Sequence, residues 1–125
     1  MISGIGVDLV DKKRFLSLIQ RFGDRFPHKI LSKQEYEEYQ IISNKASFLS
    51  KRFAAKEALS KAFGFGLYRN SVYPSSITIK HDNFGKPFFE FVNQLEQFIK
   101  TNALNIHLSI TDTDTQSIAF VTIDQ

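Results

Sequence analysis

Cysteine is absent from the 125 residues, so neither a disulfide framework nor a thiolate nucleophile or metal ligand is available, which fits a reducing compartment. Tryptophan is absent too, and thirteen phenylalanines supply the aromatic bulk. Their scatter along the chain points to core or subunit contacts before base stacking. No apolar run is long enough to span a bilayer, and Met1 leads straight into an apolar strand without the charged and hydrophobic regions of a secretory leader. The expectation is a soluble cytoplasmic protein with no membrane partner. Repeats, low-complexity tracts and linkers are also missing, which leaves one domain over residues 1–125. Sixteen Lys and Arg against thirteen Asp and Glu give a formal charge of +3. That excess is small, yet it favours anionic partners: nucleic acid, phosphorylated cofactors or an acidic protein.

What the chain does have is an alanine-rich stretch from Arg52 to Gly66. Ala55, Leu59 and Ala62 fall at helical spacing for a buried stripe, and Gly64 stands where a helix C-terminus is expected. Glu57 and Lys61 lie one turn apart on one face, with Lys56 beside them and small residues around them. A solvated i,i+4 ion pair would explain them alone. A second carboxylate changes the balance. Asp8 sits in the apolar run Ile2–Val10, where a strand puts Ile5, Val7 and Leu9 on one face and Gly4, Gly6 and Asp8 on the other. The glycines leave room beside the acid. Two carboxylates from separate elements with lysines nearby suit a hard, oxygen-ligated cation such as Mg²⁺ that completes its shell with water and phosphate.

The remaining pattern is helices beside hairpins. Asp11 is a candidate N-cap for an amphipathic helix over 12–22, with Phe15, Leu18, Ile19 and Phe22 inward and Gly23 at its end. Arg14 and Arg21 lie on its outer face, with Arg25 just beyond. Phe26-Pro27 breaks the chain, and Ser32 with Glu35 is a capping-box signature for a helix to about Ile42, with Tyr36 and Tyr39 packing inward. After a break at Ser43-Asn44 the alanine-rich helix runs over 46–63. A loop is expected over 65–74, strands over 76–80 and 88–92 joined by the turn Asp82–Pro87, a helix over 93–102, and strands over 105–111 and 117–123. The fold class read from this order is α+β, an antiparallel sheet packed by helices. His107 shares a strand face with Ser109 and Thr111 and, as a lone strand histidine, reads as structural.

Gly4-Ile5-Gly6-Val7-Asp8, Arg52-Phe53-Ala54-Ala55-Lys56-Glu57-Ala58 with Lys61 and Gly64-Phe65-Gly66, Gly85-Lys86-Pro87, and His107-Leu108-Ser109-Ile110-Thr111 follow one another in order and at matching spacing. In this the chain resembles the holo-[acyl-carrier-protein] synthase family. The resemblance implies Mg²⁺-dependent transfer of the 4′-phosphopantetheine arm of coenzyme A to a serine of apo acyl carrier protein, with release of adenosine 3′,5′-bisphosphate, in support of fatty acid biosynthesis. It implies Asp8 and Glu57 as metal ligands, Mn²⁺ being an alternative ion, and Glu57 and Lys61 as catalytic groups. Coenzyme A contacts are implied at Arg52, Lys56, Lys61, Gly64, Gly66, Gly85, Lys86, Pro87, Ser109 and Thr111. For Lys56 a place on the solvated surface is the other reading. Arg14, Arg21 and Arg25 would dock the acidic carrier, and the enzyme would be a homotrimer with coenzyme A between subunits.

In one place the chain departs from the family pattern. Asp112 follows Ser109-Ile110-Thr111 where the family commonly has histidine, and an acid there would repel a phosphate. Two other functions remain open to a chain of this composition. A basic nucleic-acid-binding module would interleave basic and aromatic residues on one strand face, whereas Ile106–Ile110 alternates apolar and polar residues with no arginine. A phosphodiesterase or nuclease built on Asp8 and Glu57 would gather further acids for paired metals, and none lies within these motifs.

Overall fold

Residues 1–66 and 72–125 are described by the computed structural model. In chain order they form β1 (Ile2–Asp11), α1 (Lys12–Phe22), α2 (Arg25–Ile30), α3 (Lys33–Ile41), α4 (Lys45–Phe63), β2 (Thr78–His81), β3 (Pro87–Glu90), α5 (Asn93–Thr101), β4 (Asn105–Asp112) and β5 (Gln116–Asp124). The strands make an antiparallel sheet in the order β1-β5-β4, with a smaller antiparallel pair β2-β3 beside it. The α+β class read from the sequence is observed.

Helix α4 lies directly on β1 and β5 because neither surface carries bulk. Ala54, Ala55, Ala58 and Leu59 are fully buried, and Ala62 nearly so. On the strand side the glycines do the complementary work. A Cβ added at Gly4 would collide with the Ala62 carbonyl, and one at Gly6 with the Ala58 carbonyl. The room beside Asp8 is therefore filled by helix backbone. Ser50 Oγ of α4 and Ser117 Oγ of β5 close this interface 2.9 Å apart. The helix stops at Gly64, whose φ of 87° is accessible to glycine at no steric cost.

Turning the glycines inward turns Ile5, Val7 and Leu9 outward, where they stand 62%, 52% and 55% exposed. Ile118 and Phe120 of β5 join them, paired across the ladder with Leu9 and Val7. The large sheet thus has one face on the core and one apolar face open.

Elsewhere the elements follow their local signals with a few differences. The Ser32–Glu35 capping box forms as expected at the start of α3. Asp11 stands at the N-cap of α1, but its carboxylate makes no cap bond and accepts from Gln116 Nε2 at 3.1 Å. Phe22 points half out, while Phe15 is fully buried. Pro27 does not break the chain. It is the third residue of α2, where an absent N–H costs no intrahelical bond. Tyr39 is buried, and Tyr36 stacks on His28 with ring centroids 4.0 Å apart. Pro74–Ser76 is a 3-10 turn, so β2 starts two residues later than expected. Part of the loop expected over 65–74 lies outside the described residues.

Candidate active site

Because α4 packs on β1 through small residues, its next outward turn meets the carboxylate that follows the glycines. Lys61 Nζ donates to Asp8 Oδ1 at 3.1 Å and to the Val7 carbonyl at 3.0 Å. The other carboxylate oxygen, Asp8 Oδ2, is buried without a hydrogen-bond partner. Burial pushes the Glu57 carboxyl above its ordinary value, and the Asp8 carboxylate adds to this; Lys61 and Arg14 pull the other way. Glu57, Lys61, Gly64 and Gly66 line one cavity of about 350 Å³ with Ser60 and Phe65. The structure brings these predicted residues together.

A divalent cation fits this donor set. Two carboxylates act on each other, one oxygen has no partner, and Lys61 and Arg14 are the cations that oppose their charge. Hard oxygens suit Mg²⁺, and a site with two protein carboxylates leaves coordination positions for water and phosphate. Among the described residues no group of three or more His, Cys, Asp or Glu gathers.

Arg52 lies on another side of α4. Its side chain is 8% exposed, with Nε 3.7 Å from Glu35 Oε2, NH2 3.6 Å from Glu38 Oε2, and the guanidinium 3.5 Å above the Phe48 ring. Its Nε, like Asp8 Oδ2, is buried without a hydrogen bond. Arg52 shares a second cavity, of about 360 Å³, with Gly85 and Pro87. Lys86 is exposed in the same turn, and its N–H donates to Asp82 Oδ1 at 2.9 Å.

Lys56 corrects both readings offered for it. It is fully buried, and its three ammonium protons go to Glu35 Oε1 at 2.5 Å, Ile30 O at 2.7 Å and Pro74 O at 2.9 Å. Burial draws its pKa down to about 8 against the pull of Glu35. With every donor engaged, it is neither a surface lysine nor open to a phosphate. Glu35 is the hub of this region, accepting also from Ser32 N and Ile79 N. The capping-box motif revealed Glu35 only as a helix cap.

Ser109 and Thr111 point to the open face of the sheet, opposite Phe120 and Ile118, and are not among the residues lining either cavity. His107 is on that face as well, with Nε2 2.8 Å from Asp124 Oδ2. Arg14 lies near Glu57 and over the Phe53 ring, Arg21 lies over Phe22, and Arg25 opens α2; all three are exposed. Asp112 does not stand as an unanswered acid. Lys12 Nζ donates to its Oδ2 at 2.8 Å, holding the carboxyl below its usual range. Lys12, Lys51 and His81 were not singled out in the sequence, since none belongs to a local motif.

A helix glutamate and lysine thus meet a strand aspartate in an α+β domain. The family model for the 4′-phosphopantetheinyl transferase superfamily matches residues 4–121. A holo-[acyl-carrier-protein] synthase of Nitrosospira multiformis is 43% identical over 100% of both chains, and one of Nitrosomonas eutropha is 44% identical over 100% of both. The crystal structure of holo-[acyl-carrier-protein] synthase from Neisseria meningitidis superposes with a TM-score of 0.93 at 37% identity, covering 100% of both chains. That of the Bacillus anthracis enzyme, in complex with coenzyme A (3′,5′-ADP), gives a TM-score of 0.82 at 29% identity over 98% of this chain and 96% of that one. The chain belongs to the 4′-phosphopantetheinyl transferase superfamily. Within it, the chain is an enzyme of the holo-[acyl-carrier-protein] synthase kind.

Proposed function

We propose that this enzyme moves the 4′-phosphopantetheine arm of coenzyme A to a serine hydroxyl of apo acyl carrier protein, in support of fatty acid biosynthesis in the cytoplasm. The observation that carries the reading is the Asp8–Glu57–Lys61 cluster: one Asp8 carboxylate oxygen is buried without a partner, the other accepts from Lys61, and Lys61 and Glu57 line a cavity. Asp8 and Glu57 would hold Mg²⁺, or Mn²⁺ in its place. When bound, the ion offsets negative charge on the pyrophosphate and on the leaving adenosine 3′,5′-bisphosphate. The serine oxygen attacks the phosphorus that carries the pantetheine arm, and the pyrophosphate bond breaks. Lys61 holds phosphoryl oxygens from the same helical face, and Glu57 is the protein's own candidate for the serine proton. Positioning and charge neutralisation supply most of the acceleration.

On this reading Gly64 and Gly66 let the arm run close to backbone, while Arg52 with Gly85, Lys86 and Pro87 borders the nucleotide end. Arg14, Arg21 and Arg25 offer the acidic carrier a basic edge, and the position of Arg14 near Glu57 supports docking that delivers a serine to the site. The open apolar face of the large sheet supports a homotrimer. Coenzyme A in clefts between its subunits would give Ser109 and Thr111 a role at the interface. No observation favours the nuclease or nucleic-acid-binding alternatives.

The test is intact-mass spectrometry of apo carrier protein after incubation with the enzyme, coenzyme A and Mg²⁺. A chelator-sensitive gain of one phosphopantetheine arm is expected, and no gain with folded enzyme would overturn the reading.

A further inference from the structure

The cavity beneath the β2-β3 hairpin holds more cationic groups than the sequence motifs assign to it. Lys51 and His81 line it together with Arg52, and the acids among its walls are Glu38 and Asp112. Each acid has a cation beside it, and Arg52 also faces the buried Glu35, with Nε 3.7 Å from Oε2. Glu38 Oε2 lies 3.6 Å from Arg52 NH2, and Asp112 Oδ2 lies 2.8 Å from Lys12 Nζ. Arg52, nine-tenths buried, has its Nε without a hydrogen bond. His81 is the last residue of β2 and pairs with Pro87 across the hairpin, so sheet register fixes its place. The turn after it is pinned by Asp82 Oδ1, which accepts from Phe84 N at 2.8 Å and Lys86 N at 2.9 Å.

We propose that His81 is a specificity-determining residue for coenzyme A, receiving the phosphomonoester on its nucleotide end together with Arg52 and Lys51. This rests on the transferase reading above. Coenzyme A carries two phosphate centres. The pyrophosphate is where a bond breaks, so it belongs beside Asp8, Glu57 and Lys61. Arg52 is five residues from Glu57 on α4, about 140° around the helix, so its cavity opens elsewhere and takes a part of the ligand remote from the reaction. A phosphomonoester carries about −1.5 to −2 charge at neutral pH. A planar guanidinium, an ammonium and an imidazole that can take up a proton offer such a group both charged and neutral N–H donors.

The groups facing His81 set its response to pH. Burial lowers its pKa first, Arg52 and Lys51 of α4 act in the same direction, and Glu38 of α3 and Asp82 of the turn oppose them. Asp112 of β4 faces the cavity but is bonded to Lys12. The free imidazole is therefore neutral near pH 7 and donates one N–H. An arriving dianion draws a proton onto it. Binding tightens as pH falls between the free and the bound pKa of this group.

The experiment compares steady-state transfer from coenzyme A and from 3′-dephospho-coenzyme A by the wild type, His81→Ala and His81→Lys. The wild type should prefer coenzyme A. His81→Ala should raise KM for coenzyme A about tenfold, as for a lost charge-assisted hydrogen bond, and shrink that preference by the same factor. His81→Lys should restore the preference and flatten its dependence on pH between about 6 and 8. A preference left at its wild-type value in His81→Ala, or an equal loss on both substrates, would overturn the inference while leaving the transferase reading standing. No transfer by the wild type from either substrate would overturn both.

Discussion

Asp8 Oδ2 and Arg52 Nε are the two buried side-chain atoms without hydrogen-bond partners among the described residues. Each is a buried polar atom that the fold itself leaves without a hydrogen bond, which is uncommon in folded proteins. At Asp8 the consequence can be measured without any substrate. In metal-free enzyme Glu57 titrates above ordinary carboxylates because of burial and the neighbouring Asp8. Asp8→Asn removes the second cause, so carbon-13 NMR should show the Glu57 pKa moving down in that variant, and Mg²⁺ should move it down in the wild type. An unchanged pKa in both would separate the two carboxylates. The motif containing Glu57 was readable because glutamate and lysine at i,i+4 leave a local trace. Lys56, its neighbour, could not be read in the same way. Its partners Ile30, Glu35 and Pro74 are 26, 21 and 18 positions away, and nothing local records that a lysine is spending all three donors inside the fold.

Between elements, the decisive contact is backbone against backbone where α4 crosses β1. The glycines and alanines were visible as small residues, yet their sequence pattern left room for a ligand where the fold puts a helix. The face of β1 was ambiguous for the same reason: an apolar row of Ile5, Val7 and Leu9 ordinarily faces the core, but here the helix can approach only the glycine side. Gly6→Ala places a methyl on the Ala58 carbonyl and must push α4 outward. We expect a stability loss of about 3 kcal/mol by urea denaturation, typical of overpacking, and lost activity because Glu57 and Lys61 move with the helix. Wild-type stability and turnover in that variant would refute the packing argument. Helix α2 has no clear signal in the sequence because proline ordinarily breaks a helix, and only the place of Pro27 in the first turn makes it compatible with one.

For the whole molecule, a sheet with one open apolar face calls for a partner, and another copy of the chain is the one the proposed trimer supplies. Phe120, 40% exposed at the middle of that face, can take a charge without disturbing the core. Phe120→Glu should give a folded monomer by light scattering with transfer activity reduced about tenfold or more, given that the sites would span subunits. A stable, fully active monomeric wild type would remove the trimer from the account. The proposed transfer needs Asp8 and Glu57 to act as one metal-dependent pair. The measurement that tests it most directly is the carrier-mass assay repeated with Glu57→Gln, a near-isosteric change that leaves α4 in place, checked by circular dichroism. A native spectrum with no Mg²⁺-dependent mass gain is expected. Wild-type transfer by that variant would contradict it.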